Sequence, residues 1–125
     1  MNLTELAEIV RSSHRQKYNL SGLEYFENSI NRKKEKNEFI EPDKVEQYAA
    51  FLGQTVIENY GGNWDYEEYE EGKELVVRFN KDNIFRAFMV TEKFCSGEWS
   101  SFSGIYKESL KDMEPKPKKK PWWKF

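Results

Sequence analysis

The sequence predicts an α+β domain: two N-terminal helices, a long third helix, a small antiparallel β-sheet of two or three strands, and a closing C-terminal helix. Three observations predict it. Apolar residues recur at three- and four-residue spacing before residue 60 and again after residue 102. The period changes to two directly after Gly61-Gly62. Turn-forming clusters then follow at 70–73 and 80–83. A chain of 125 residues fits one domain and can bury a core without metals or disulfides. Residues 1–114 are read as that domain, and 115–125 as a basic, aromatic tail.

The first helix is expected over Leu3–Tyr18, with Leu3, Leu6, Val10 and Ser13 on one stripe and Ile9 beside it. Asn2 can cap it, and Glu5 stands at the capping-box position. After a break at Asn19–Gly22, Ser21 and Glu24 form a second capping box, with Leu20 and Tyr25 placed as a hydrophobic staple. The second helix turns Leu23, Phe26 and Ile30 inward and runs out in the polar stretch Asn31–Glu38.

The third helix is expected from Pro42 to Tyr60, capped by Asp43 with Glu46. Val45, Tyr48, Ala49, Leu52, Val56 and Tyr60 mark its inner face. Gly53 costs a helix about 1 kcal/mol relative to alanine, so the row Ala49, Gly53, Ile57 implies a close neighbour. Gly61 and Gly62 stop the helix.

Trp64–Tyr69 and Glu74–Phe79 then read as paired strands joined by a four-residue loop, Glu70–Lys73. Trp64, Tyr66, Leu75, Val77 and Phe79 form their buried row. Asn80–Asn83 is a second turn; Ile84–Val90 fits a strand by its branched and aromatic residues and a helix face by Ile84, Phe85, Phe88 and Met89, and is read as a strand passing into a short helix that stops near Gly97. The last helix is capped by Ser100, carries Phe102, Ile105, Tyr106, Leu110 and Met113 on one face, and is stopped by Pro115.

Twenty basic and 22 acidic residues leave a net charge of −2, which argues against general nucleic-acid affinity. The single cysteine, Cys95, cannot form an internal disulfide and suits a reducing compartment. The N-terminal MNLTELAEIV shows neither a basic leader nor a long apolar run. The expected location is the cytoplasm.

Known chemistries fit poorly. The glycine pair follows a helix and precedes a strand, the reverse of a phosphate-binding loop, and a helix C-terminus repels phosphate. Six carboxylates lie between Asp65 and Glu74, but strand alternation splits Asp65 and Glu67 from Glu68 and Glu70. No metal site, cofactor or catalytic group is therefore assigned. Cys95 has His14 as its one possible histidine base, and no motif links them. In the tail, five lysines stand beside Trp122, Trp123 and Phe125. That mixture can fold back on the domain, contact a partner, or meet an anionic membrane or single-stranded nucleic acid.

YAAFLGQTVIENYGGNW, through Leu52, Gly53, Gly61, Gly62 and Trp64, resembles a pattern in small uncharacterised bacterial domains. VTEKFCSGEWSSFSGIY is similar to their downstream part through Val90, Phe94, Gly97, Glu98, Ser100 and Tyr106. The resemblance spans about residues 45–110. It implies a fold, and, because some such domains lie beside toxin genes, an immunity-like role. The functional expectation is a non-enzymatic domain binding another protein through Asp65, Glu67, Glu68, Glu70 and Glu71, or through Lys118, Lys119, Lys120, Trp122, Trp123 and Phe125. A peripheral membrane or nucleic-acid adaptor using the tail, and an enzyme with a pocket the sequence does not disclose, are the alternatives.

Overall fold

The structure, a computed structural model, describes residues 2–115. Among these residues there are five helices and one antiparallel sheet of three strands. The elements are α1 (Leu3–Ser13), α2 (Leu20–Glu35), α3 (Pro42–Tyr60), β1 (Asn63–Tyr69), β2 (Gly72–Arg78), β3 (Ile84–Phe85), α4 (Ala87–Cys95) and α5 (Phe102–Leu110). The α+β class and the element order agree with the sequence pattern.

α3 is the axis of the molecule. Every residue from Tyr48 to Val56 is buried, because α1 and α4 both pack on it and the sheet abuts it. α5 packs on α2 and α4. Phe26, Phe51, Phe94 and Phe102 are fully buried, and Phe94 stacks on Phe102 at 5.5 Å between ring centroids. The aromatic-rich composition thus becomes a core of interlocking rings.

The close neighbour at Gly53 is a side chain. A Cβ there would stand 2.1 Å from Trp64 Cη2, so the indole lies directly on the helix backbone. Trp64 Nε1 donates to Gln54 Oε1 at 3.4 Å, which satisfies its polar edge. Gly61 and Gly62, with φ of 91° and 92°, end α3 and turn the chain into β1.

Several boundaries differ from expectation. α1 stops at Ser13, five residues early. Arg15 adopts φ 54°, its N–H bonding Ser12 O at 3.2 Å and the Gln16 N–H bonding Arg11 O at 3.0 Å. This is a Schellman motif without glycine. α2 ends the same way: Asn37 has φ 55°, and Glu38 N donates to Lys33 O at 2.9 Å. Helix therefore continues to Glu35 through what reads as a polar loop. α2 starts at Leu20, because the extended Asn19 is its cap and accepts from Gly22 N at 2.9 Å; Ser21 and Leu20 are already helical, so the capping box and staple do not form. α3 has no side-chain cap bond, and Asp43 only places charge in its first turn. α5 is capped by Ser101 rather than Ser100, through Gly104 N at 2.9 Å. Ile9 is 48% exposed, and Ala7 is buried in its stead.

The β1–β2 register runs from Asn63↔Arg78 to Tyr69↔Gly72, leaving a two-residue turn, Glu70-Glu71, instead of the expected four. Gly72, at φ 144°, takes the position that allows so tight a reversal. β3 pairs with β2 through Val77↔Phe85 and Arg78↔Ile84, then leads straight into α4. Val77 is fully buried as expected, but so is Val76 on the opposite face, while Tyr66 is 55% exposed.

Candidate functional site

Two surfaces stand out: the β1–β2 hairpin, and a groove between β3, α4 and α5. The hairpin begins with an ionic lattice. Arg78 Nε donates to Asp65 Oδ2 at 2.8 Å, and its Nη2 donates to Glu67 Oε2 and, at 3.3 Å, to the Tyr66 carbonyl. Beside it, Arg86 clamps Glu74 through two bonds of 2.8 and 2.6 Å. These five side chains share one sheet face with Val76, which lies among them in the register. Their aliphatic stems account for its complete burial. The Arg78 bond, aided by the Tyr66 N–H, holds the Asp65 carboxyl below its ordinary range.

The predicted acidic patch is thereby divided. Asp65 and Glu67 are occupied within the fold. Glu68, Glu70 and Glu71 stand at the distal end, all exposed. Glu68 faces Lys73 at 3.9 Å with both side chains open to solvent, a weak pair. Tyr66 and Tyr69, 55% and 43% exposed, flank these acids on opposite faces of β1. Arg86 lies 5.7 Å from the Tyr69 ring centre and steadies it. The tip is therefore an acidic, tyrosine-bearing ridge. Strand alternation foretold its carboxylates but not the arginines that absorb half of them, since both arginines lie outside the acidic run.

The groove was not foreseen. It holds about 510 Å³ and is lined by Phe79, Ile84, Met89, Trp99, Ile105 and Met113, with Asn80, Arg86 and Asp112 at its polar margins. The six apolar residues are all half-buried. A second, shallower concavity of about 310 Å³ lies along the hairpin between Tyr69, Glu71, Lys73 and Glu74, and shares Arg86 with the groove. The sequence signal for the groove was present in Trp99, a large apolar residue that belongs to none of the predicted inner faces.

Other reactive groups are held in structural contacts. Cys95 is half-buried, and desolvation pushes its thiol up to about 11, so it is protonated at neutral pH. His14 Nδ1 lies 3.0 Å from the Tyr25 hydroxyl, and its ring packs edge-on against Phe26. Glu8 accepts from Arg11 Nε at 2.8 Å and from the Tyr18 hydroxyl at 2.9 Å; these bonds lower its carboxyl to about 2. Among the described residues, no cluster of three or more His, Cys, Asp or Glu side chains could hold a metal, and no helix is long and apolar enough to cross a membrane. Lys118, Lys119, Lys120, Trp122, Trp123 and Phe125 lie outside the described residues. No protein-family model, curated protein or solved structure matches the chain.

Proposed function

We propose that this is a non-enzymatic cytoplasmic binding protein that presents the hairpin tip, Tyr66, Glu68, Tyr69, Glu70 and Glu71, to a basic surface on another protein. One observation carries the reading. Asp65, Glu67 and Glu74 are paired with Arg78 and Arg86 within the fold, whereas Glu68, Glu70 and Glu71 at the tip stand open to solvent. Exposed tyrosines supply contact area at low entropic cost, and the acids supply electrostatic steering. Both are features of a recognition surface. An immunity-like role, inhibiting a toxic partner by covering its basic face, is the form of this function that the resemblance over residues 45–110 favours.

The test is binding to the products of neighbouring genes, measured by calorimetry at low and high salt. Glu68, Glu70 and Glu71 changed together to Gln should weaken binding roughly tenfold at low salt, with little difference at high salt. Glu67 is left intact in this variant because it is one of the two carboxylates that Arg78 binds within the fold. Removal of 115–125 should leave affinity unchanged. Binding lost with the tail, and retained by the triple variant, would refute the reading.

A further inference from the structure

We propose that the groove between β3, α4 and α5 is the docking site of this chain's own C-terminal segment, residues 116–125, anchored by the indole of Trp122 or Trp123. This inference is independent of the hairpin reading and rests on other residues.

The first support is the tether. Asp112 and Met113 form part of the groove wall, so the chain leaves the described domain at the edge of the cavity. From Pro115 to Trp122 the backbone spans at most ~24 Å, enough to cross the groove and too little to roam far from it. A short tether holds the aromatics at an effective concentration in the millimolar range. Even a site of millimolar intrinsic affinity is then substantially filled.

The second support is chemical match. Three large rings fall within the last four residues, and each presents roughly 150–250 Å² of surface. Left in water together, the three rings would expose more apolar surface than the few hundred Å² usual for a contiguous patch on a monomer. The groove offers the complement: six half-buried apolar side chains, among them Trp99, Met89 and Met113, which suit aromatic contact. Its volume, about 510 Å³, lies within the range of clefts that enclose a ring-sized group.

The third support is charge. The whole chain carries −2, and 115–125 holds five lysines and no acid, so residues 1–114 carry −7. Asp112 stands in the groove wall, and Glu71 and Glu74 line the adjoining concavity. The linings themselves are balanced, since Arg86 accompanies Asp112 in the groove and Lys73 and Arg86 offset Glu71 and Glu74 in the concavity, so the attraction on the lysines is that of the domain's net charge.

The experiment compares the full chain with a variant carrying Trp122→Ala, Trp123→Ala and Phe125→Ala, three changes outside the packed domain. Amide exchange is followed in the β3 and α5 segments, together with binding of an apolar fluorescent dye. The full chain should exchange roughly two- to tenfold more slowly in those segments, equally at high and low protein concentration, and should bind less dye. Identical exchange and dye binding would overturn the proposal. Protection that fades on dilution would assign the groove to the tail of a second copy and also overturn it. Sedimentation of the full chain with phosphatidylserine vesicles, without any exchange difference in their absence, would give the tail to a membrane and refute docking.

Discussion

A methyl group at Gly53 would stand 2.1 Å from one Trp64 ring carbon and 2.3 Å from the next. On an exposed helix, glycine to alanine gains about 1 kcal/mol. Here the sign reverses, because the indole cannot retreat without leaving the core. Gly53→Ala should destabilise the protein by roughly 1–3 kcal/mol in urea titration, as overpacking does. Adding Trp64→Leu should cost less in the Gly53→Ala background than in the wild type, a coupling that a double-mutant cycle reads directly. The small-residue row in α3 made a close approach legible, though not its agent. The sequence suggested a packed element, and one side chain does the work instead. Other residues were illegible for a definite reason. Arg15 closes α1 in a left-handed conformation that sequence reasoning reserves for glycine or asparagine. Asn37, which closes α2, carried that signal within a stretch read as loop. Val76 broke the inward–outward alternation because the stems of ion-paired arginines and glutamates can bury a residue on a nominally outer face.

At the level of elements, α2 holds the ends of two others. Glu27 Oε1 accepts from the N–H groups of Phe102 and of Ser103, the latter at 3.0 Å, and from the Ser101 hydroxyl at 3.0 Å, at the positive N-terminus of α5. Two turns later Lys34 Nζ donates to the Phe94 carbonyl at 2.8 Å, at the negative end of α4, and lies 4.0 Å from the Phe94 ring centre. α4 and α5 have nine residues each, below the length at which helices persist alone. Glu27→Gln, which keeps shape and removes charge, should cost about 1–2 kcal/mol in urea titration. The same change at Glu24, exposed on α2, should be nearly silent. Neither clamp is legible in sequence. Glu27 sits among ordinary surface acids and Lys34 in a polar run, and their partners lie 60 or more residues away. The hairpin, by contrast, is local, so its existence and facing were readable and only its turn length was not.

Taken whole, the molecule has stability limits at both ends of the pH scale. Glu8 has an ordinary value of 4.5 and a folded value of about 2, so its contribution is full above 4.5 and vanishes as pH falls toward 2. Asp65 acts in the same sense. Cys95 and Tyr106 are raised by burial, from 9.0 to about 11 and from 10.0 to about 12. The unfolded chain therefore ionises first, and stability falls as pH rises through 9 and beyond. Thermal midpoints should show a plateau between about pH 5 and 9, with losses on both sides. Cys95→Ala should shift the onset of the alkaline loss upward. At this scale the fold class and element order were legible, since they follow from periodicity and glycine placement. The groove was not, because it exists only where β3, α4 and α5 meet.

The bonds from α2 to α4 and α5 also impose an order in time. They close loops of 60 to 76 residues, and closing long loops costs entropy before the contact returns anything. α1, α2 and α3 can assemble through contacts nearer in sequence, leaving the two short C-terminal helices to dock last against a preformed surface. Glu27→Gln and Lys34→Met should then accelerate unfolding while leaving the refolding rate almost unchanged in stopped-flow measurements. During synthesis, the core beneath α4 and α5 would stand open until Ala87–Leu110 has left the ribosome.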